Sequence, residues 1–263
     1  MEVVILPDAE AVGALAADAA CALLDSSPEA VLGLATGSSP LATYRELIRR
    51  HRDGEVTFAR ARAFLLDEYV GLAAGHPQRY RNVVRDELEA HVDFADGAVA
   101  GPDGLADDLP AACAAYEAAI AAAGGVDLQL LGIGSDGHIA FNEPGSSLSS
   151  RTRLKTLAKQ TIDDNARFFD KPSDVPIYAI TMGVGTILEA RQILLLATGE
   201  KKAGAVAAAV EGPVTSMITA SALQMHPSTR VYCDEPAAGK LKMREYYDWI
   251  QEKKPGAPAH DRI

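Results

Sequence analysis

Six short apolar runs, rich in valine, isoleucine and leucine, constrain the fold of this 263-residue chain more than any other feature. Each run leads into glycine, aspartate or serine and is followed by a stretch of helical character. The runs are VLGLATG (31–37), AFLLDEY (63–69), DLQLLGIGS (127–135), IYAITMG (177–183), QILLLATG (192–199) and RVYCDEP (230–236). Unbroken rather than alternating apolarity is what strands need when helices cover both faces of their sheet. The runs therefore predict a mainly parallel sheet.

Segments between the runs have the spacing of amphipathic helices. Residues 41–54 place apolar side chains on one face and arginines on the other, and residues 199–212 combine alanine and valine with a terminal glycine before proline. This alternation predicts an α/β fold: a single three-layer αβα domain over residues 1–263 with a mainly parallel, Rossmann-like sheet. Residues 95–110 are expected to form a surface loop, and the last residues, 252–263, a flexible tail.

Composition excludes several classes of function. The net charge of −11 and the pI near 5.0 argue against nonspecific binding to nucleic acid or to an anionic membrane. Cys21, Cys113 and Cys233 are odd in number and widely spaced, so we expect reduced thiols in a cytoplasm rather than a disulfide framework or a zinc site. The start, MEVVILPDAE, lacks the features of a signal peptide, and the alanine-rich segment 111–123 is too short to span a bilayer.

The first candidate site lies in LATGSSPLATY (34–44), where a strand is predicted to end and a helix to begin. Ser39 is expected to cap the helix and Pro40 to occupy its first position. The turn would aim free amides and hydroxyls at one point near the positive end of the helix dipole, which suits a phosphate. An ordinary strand-to-helix turn with a serine cap explains the same residues equally well.

The second candidate is LLDEYVGL (65–72), which places Asp67 and Glu68 at a strand end. Adjacent strand residues point in opposite directions, so at most one of them enters a cleft. A carboxylate in a partly desolvated cleft can act as a general base near neutral pH. The alternative is a solvated turn in which one acid caps the next helix.

The third candidate is LGIGSDGHIAFNEPGSS (131–147), which follows the strand DLQLLGI and contains Asp136, His138 and Glu143. Glycines here permit tight turns and close approach of a ligand. An imidazole beside carboxylates can hold and pass on a proton, so the set predicts an acid–base relay. Metal binding is an alternative, although no second cluster of histidine or cysteine accompanies these residues.

Cations suggest a further site. In SSRTRLKT (149–156), Arg151, Arg153 and Lys155 would project from one face of an extended segment and form a compact anion site. A cationic strand edge that discourages pairing is the alternative. Arg167 and Lys202 are isolated cations without a pattern of their own. The segment Met-His-Pro after residue 224 is expected to be a structural turn.

Taken together, these stretches resemble the glucosamine-6-phosphate deaminase (isomerase) family. The matching segments are LATGSSPLATY, LLDEYVGL, GIGSDGHIAFNEPGSSLSSRTRLKTL, ARFFD, ITMGVGTIL, AAVEGPVTSMITASALQMHP and VYCDEPAA, between about residues 30 and 240. The resemblance implies a sheet similar to that of the ribose-5-phosphate isomerase and CoA transferase group. It also implies conversion of glucosamine 6-phosphate and water to fructose 6-phosphate and ammonia, without a metal or organic cofactor.

The resemblance implies a role for each acid–base residue. His138 would open the pyranose ring by moving a proton from the anomeric hydroxyl to the ring oxygen, and Asp136 and Glu143 would orient that imidazole. Asp67 would take the C2 proton and return one at C1 through an enolamine. This agrees with the residues themselves, because the reaction needs two separate proton shuttles and the sequence offers two separate groups.

The resemblance also implies how the phosphate of the substrate is held. The turn of Gly37, Ser38 and Ser39 would bind it together with Arg167 and Lys202. In hexameric relatives an activator, N-acetylglucosamine 6-phosphate, binds between subunits. The residues that match that site are Ser146, Arg153, Lys155 and Thr156, so a regulated homo-oligomer is expected.

Two rivals remain on sequence grounds. 6-Phosphogluconolactonases share a G-x-G-x-D-G-H stretch but are expected to continue toward Ser-Leu-Phe-Pro, whereas this chain continues I-A-F-N-E-P. A phosphosugar-sensing domain of a transcription regulator would need a DNA-binding module. Only about 30 residues precede the first matched strand, and the acidic balance opposes binding to DNA.

Overall fold

A computed structural model describes residues 1–254. The strands are β1 (Glu2–Leu6), β2 (Val31–Leu34), β3 (Arg62–Leu65), β4 (Asp67–Tyr69), β5 (Val99–Ala100), β6 (Leu128–Leu131), β7 (Arg153–Thr156), β8 (Tyr178–Thr181), β9 (Gln192–Ala197) and β10 (Thr229–Asp234). The α-helices are α1 (Ala9–Ser26), α2 (Leu41–Arg52), α3 (Tyr80–Glu87), α4 (Leu109–Ala122), α5 (Lys159–Asn165), α6 (Val184–Leu188), α7 (Ala203–Glu211), α8 (Glu235–Ala238) and α9 (Arg244–Lys253).

A large parallel sheet forms the centre of the fold. Its strand order is β1-β10-β9-β6-β2-β3-β5, and every neighbouring pair is parallel. Five of the six apolar runs supply its interior strands β2, β3, β6, β9 and β10. The predicted α/β fold with a mainly parallel, Rossmann-like sheet is therefore confirmed.

Helices cover both faces of this sheet, which explains why its strands are apolar throughout. In β9, Ile193 and Leu195 pack on the side of α4 and α7, whereas Leu194 and Leu196 pack on the side of α1 and α2. All four side chains are fully buried. A strand with one wet face would show alternation instead, so the unbroken runs follow directly from the three layers.

A second, smaller sheet was not predicted. Its order is β4-β8-β7, and both pairs are antiparallel. The run 177–183 therefore supplies a strand outside the parallel sheet, and the run 63–69 divides between the two sheets at Leu66. The Leu66 N–H donates to the Leu34 carbonyl of β2, while its own carbonyl accepts from the Met182 N–H beyond β8. The chain thus passes from one sheet to the other at this residue.

Edges and ends differ from expectation in three places. The stretch 95–110 contains the short strand β5, because buried Val99 pairs with β3. The edge strand β1 beside β10 was also missed. Helix α9 runs to Lys253, so the first residues of the predicted tail are helical; residues 255–263 lie outside the described part of the chain. No helix within residues 1–254 is long and apolar enough to cross a membrane.

Candidate active site

The candidate residues gather where neighbouring parallel strands end. Gly37 follows β2, Asp67 follows β3, His138 follows β6 and Lys202 follows β9. These four strands are adjacent in the order β9-β6-β2-β3. Because carboxyl ends of parallel strands meet at one edge, residues distant in sequence share one site, as expected for an open α/β sheet.

The imidazole of His138 lies beside two carboxylates. Its Nδ1 is 2.7 Å from Asp136 Oδ1 and 3.7 Å from Glu143 Oε2. The shorter distance is a close polar contact whose angle departs from that of a well-aligned hydrogen bond. Asp136 Oδ1 also accepts the His138 backbone N–H at 3.2 Å. Burial alone would raise the pKa of Asp136, but the contacts with His138 outweigh burial and lower it.

The two oxygens of Glu143 have different surroundings. Oε1 accepts the Ala158 backbone N–H at 3.0 Å and the Thr161 hydroxyl at 2.7 Å. Oε2 is buried without a hydrogen-bond partner among the described residues and faces the imidazole of His138. Hydrogen bonds to Oε1 therefore fix the carboxylate, while Oε2 remains available to interact with the imidazole of His138.

Close packing holds the loop that carries His138. A Cβ on Gly134 would lie 2.4 Å from the His138 ring, so only glycine lets the ring lie against this backbone. Ala140 has a φ of +49°, a left-handed conformation that costs an alanine free energy. Buried Asn142 holds the turn by donating to the carbonyls of Ile139 at 3.0 Å and Met182 at 2.8 Å.

Asp67 and Glu68 have different surroundings, and Glu68 is the acid that caps the next helix, although in a buried rather than a solvated turn. Glu68 is fully buried and accepts the backbone N–H groups of Tyr69, Tyr80 and Arg81, each at 2.9 Å, which caps the start of α3. Burial raises its pKa, although these three donors and the nearby charge of Arg79 counteract the rise.

Asp67 is 6% exposed, and no hydrogen bond to its carboxyl is found within residues 1–254. Burial, together with the neighbouring charge of Glu68, raises its pKa well above the usual range. Burial and nearby charges also raise the pKa of Tyr69 to about 12, and its hydroxyl lies 3.3 Å from that of Tyr80. These phenols stay protonated at neutral pH, so Asp67 is the group among these three that could accept a proton.

The turn after β2 is open toward the site. Gly37 has a φ of +86°, whereas Ser38 has an ordinary negative φ, so the side chain of Ser38 causes no strain. Helix α2 begins one residue later than predicted, after Pro40, and no side chain caps it. Instead of capping, the Ser39 hydroxyl faces Gly132 at the end of β6: a Cβ there would lie 3.2 Å from it.

Lys202 and Arg167 lie close enough together for their charges to interact. Burial lowers the pKa of Lys202; Asp164 and Asp136 counteract that fall, and Arg167 adds to it. These influences place Lys202 near Asp136 and near Arg167. The loop before Lys202 is anchored by Asp234, whose carboxylate accepts the Gly199 N–H at 2.9 and 3.0 Å.

The structure forms only part of the predicted cationic cluster. Arg151 is paired with Glu117 and Glu189 on the surface, so the proposal that it joins an anion site is wrong. Arg153 and Lys155 project from one face of β7. Burial lowers the pKa of both, and Arg153 lowers that of Lys155 further.

Of the two other residues matched to an activator site, Ser146 is near β7 in sequence and Thr156 is part of it. Ser146 is 4% exposed, and its hydroxyl has no partner in the described chain. Thr156 lies on the opposite face of β7 from Arg153 and Lys155. The structure thus separates Thr156 from the two cations.

A cation could approach the Asp136, His138 and Glu143 set on distance alone, because one ligand atom from each lies within 4.8 Å of the others. Glu143 Oε1, however, already accepts two hydrogen bonds. His226 takes no part in the site, since its ring bonds the Ala190 carbonyl and the Ser228 N–H in the predicted structural turn.

Several supporting residues were missed by sequence reasoning. Asp234, followed by proline two residues later, has the pattern of a helix N-cap and could have been found. Asn142 stands beside Glu143 in the same motif. The hydroxyls of Thr161 and Thr219 donate hydrogen bonds to Glu143 and to the Asn142 carbonyl, which are distant in sequence. No local sequence pattern predicts these contacts.

An acid–base cluster beside cations, at the carboxyl edge of a parallel sheet, is the arrangement expected of a site for proton transfer on an anionic ligand. The sequence model of the family described as glucosamine-6-phosphate isomerases/6-phosphogluconolactonase matches residues 8–236. The chain belongs to this family.

Similarity to individual proteins supports membership of this family. The chain is 61% identical to the glucosamine-6-phosphate deaminase of Mycolicibacterium smegmatis over 256 residues, 97% of this chain and 98% of that protein. A solved monomeric glucosamine-6-phosphate deaminase is 42% identical, with a TM-score of 0.90 over 91% of this chain and 100% of that one. The 6-phosphogluconolactonase of Trypanosoma cruzi shares the fold alone, with a TM-score of 0.72 and 20% identity over 92% of this chain and 97% of that one.

Proposed function

We propose that this protein is a glucosamine-6-phosphate deaminase, which converts glucosamine 6-phosphate and water to fructose 6-phosphate and ammonia. The observation that carries the proposal is the pair of separate proton-transfer groups: His138 between Asp136 and Glu143, and the unpartnered carboxyl of Asp67 at the next strand end but one. Relatives of the same activity at about 60% identity support it.

Ring opening is the first task. The acids contact His138 through Nδ1, which leaves Nε2 for the sugar. The imidazole accepts the proton of the anomeric hydroxyl and delivers one to the ring oxygen as the C1–O bond of the ring breaks. Carboxylates beside the ring stabilise its transient positive charge and fix its orientation.

Isomerisation and loss of the amine follow. Asp67 removes the proton from C2 of the open-chain aldehyde, the freed electron pair forms a double bond between C1 and C2, and a proton passes from the ammonium group to the aldehyde oxygen, which gives an enolamine. The acid then returns a proton at C1, which leaves an imine at C2. Water adds to that carbon and ammonia leaves, giving the ketone of fructose 6-phosphate. A carboxyl with a raised pKa suits both steps, because it accepts a proton more readily than an ordinary aspartate and can then return it.

Anion recognition divides between two regions. The turn of Gly37, Ser38 and Ser39, with Arg167 and Lys202, holds the phosphate of the substrate. Backbone amides and a half-buried lysine are suitable donors, because their hydrogen bonds to a phosphate strengthen when water is excluded.

The second region holds an activator, N-acetylglucosamine 6-phosphate, in a homo-oligomer, with a hexamer the expected form. Ser146, Arg153 and Lys155 supply its phosphate site, and Thr156 contributes from the far face of the strand through a neighbouring subunit. A relative described as monomeric makes subunit count part of the test. Sedimentation velocity and rate curves with and without the activator test both points: a monomer whose rate curve ignores the activator contradicts them.

We place the protein in the cytoplasm, where buried free thiols stay reduced. The protein acts without a cofactor and without a nucleic-acid or membrane partner.

The decisive experiment measures ammonia and fructose 6-phosphate from purified protein given glucosamine 6-phosphate, with and without a metal chelator. Equal release in both conditions supports metal-free deamination. Loss of activity in the chelator would favour the metal alternative at Asp136, His138 and Glu143. No release, with hydrolysis of 6-phosphogluconolactone instead, would establish the lactonase, and phosphosugar binding without either reaction would favour a sensor.

A further inference from the structure

The asymmetry of Glu143 raises the question of what fixes its orientation. Two donors hold Oε1, and both come from the start of α5: the Ala158 N–H and the Thr161 hydroxyl. Thr161 is 4% exposed and Glu143 5%, so water does not replace either bond readily. A buried, charge-assisted bond of 2.7 Å is among the stronger polar contacts in a protein.

The same segment carries other parts of the site. Arg167 lies six residues beyond Thr161, in the turn of 3₁₀ helix that follows α5. Phe169 then packs edge-on against Tyr69 at 5.8 Å between ring centres and stacks on His76 at 5.8 Å. Thr161 thus joins the acid beside the imidazole to the segment that bears a phosphate-binding cation.

We propose that Thr161 is a positioning residue, which holds Glu143 so that its free oxygen faces His138. The inference rests on the proposed function and assigns Thr161 no contact with the substrate. It also ties the orientation of the imidazole to the placement of the α5 segment, because the same hydroxyl bond joins the two.

The charge of Lys155 competes with His138 for the carboxylate of Glu143, which explains why the orientation of that carboxylate must be fixed. Lys155 lies near enough to Glu143 for their charges to interact. With one donor removed, the carboxylate keeps only the Ala158 N–H and can turn toward this lysine. The imidazole would then lose the second of its two acids, and proton transfer at the sugar ring would slow.

The test compares two threonines that make the same kind of bond. Thr161→Val removes the donor to Glu143 with little change in shape. Thr186→Val is the matched control, since Thr186 is also buried and its hydroxyl donates to Glu117 at 2.6 Å outside the acid–base cluster. We expect Thr161→Val to lower kcat about tenfold, about 1.4 kcal/mol, with KM within about twofold. Thr186→Val should leave kcat within about twofold of wild type, and Thr161→Ser should restore most of the loss.

A double-mutant cycle separates positioning from general damage. If Thr161 acts through Glu143, its replacement should change kcat less than about twofold in a Glu143→Gln background. A further tenfold loss in that background, or a Thr161→Val enzyme with wild-type kcat, would overturn the inference.

A second readout does not depend on turnover. In protein with ¹⁵N-labelled histidine, the ring signals of His138 at fixed pH should move in Thr161→Val and stay in place in Thr186→Val. Absence of ammonia release by the wild-type protein would refute the proposed function. Unchanged His138 signals in Thr161→Val would refute the positioning role, whichever reaction the site performs.

Discussion

Replacing Asp67 with a neutral residue should raise the free energy of unfolding, because the folded protein no longer has to bury an unpartnered carboxyl. The carboxyl is 6% exposed and lacks a hydrogen bond within the described residues. Burial and the charge of Glu68 raise its pKa, so the folded state holds this proton more tightly than the unfolded state does. The resulting stability is present below the unfolded pKa, about 3.9, and is lost as pH rises through the folded pKa.

The cost of this buried, unpartnered acid therefore grows as pH rises from the unfolded pKa toward the folded pKa, so it is larger at pH 8 than at pH 5. Asp67→Asn replaces it with a neutral group of similar size and should stabilise the fold by about 1–3 kcal/mol. Each kcal/mol corresponds to a rise in Tm of about 2–4 °C for a chain of this length. At pH 5 the gain should shrink, because the wild-type acid is then increasingly protonated.

Glu68→Gln is the matched control on the neighbouring residue. Glu68 accepts three backbone N–H groups, and a glutamine would turn its amide nitrogen toward at least one of them. An orphaned buried donor costs about 1–3 kcal/mol, so this variant should melt below wild type. Calorimetry between pH 5 and pH 8 measures both effects. An Asp67→Asn protein no more stable than wild type at pH 8, or a gain that does not change with pH, would refute the reasoning.

Three further predictions concern single residues. His138→Gln should slow turnover of the closed-ring sugar far more than that of the open chain, and rapid-mixing kinetics that show equal slowing would exclude a role in ring opening. Lys202→Ala should raise both KM for the substrate and the inhibition constant of inorganic phosphate about 10- to 100-fold, since it removes a charged hydrogen-bond donor; unchanged phosphate inhibition would remove Lys202 from the phosphate site. Ala140→Gly should relieve left-handed strain at φ +49° and raise Tm by about 1–3 °C; a lower Tm would mean that the flexibility of glycine in the unfolded chain outweighs the strain.

The parallel sheet was predictable because burial on both faces requires each strand to be apolar along its whole length. Its interior strands are unbroken apolar runs, as in β9, where alternate side chains enter opposite layers. No comparable sequence pattern predicted the small antiparallel sheet. An apolar run does not indicate which strand it pairs with, so the sequence of residues 177–183 did not predict antiparallel pairing. No residue pattern at Leu66 predicted that the chain changes sheet there.

The grouping of candidate acid–base residues was predictable where acids and an imidazole stand together at strand ends. Asp67, Asp136, His138 and Glu143 were found in this way. Residues that act on them at long range were not, because a hydroxyl such as that of Thr161 has meaning only once folding brings it to Glu143. The cations needed the structure too, since Arg151 resembles its neighbours in sequence but is neutralised by Glu117 and Glu189.

The most direct test of the account is turnover of glucosamine 6-phosphate by Asp67→Asn beside the wild-type protein, with phosphate binding measured in both. We predict that the wild type releases ammonia and fructose 6-phosphate one for one. The variant should release neither above background while binding inorganic phosphate as the wild type does. A variant that turns over at the wild-type rate would contradict the assignment of Asp67 as the base.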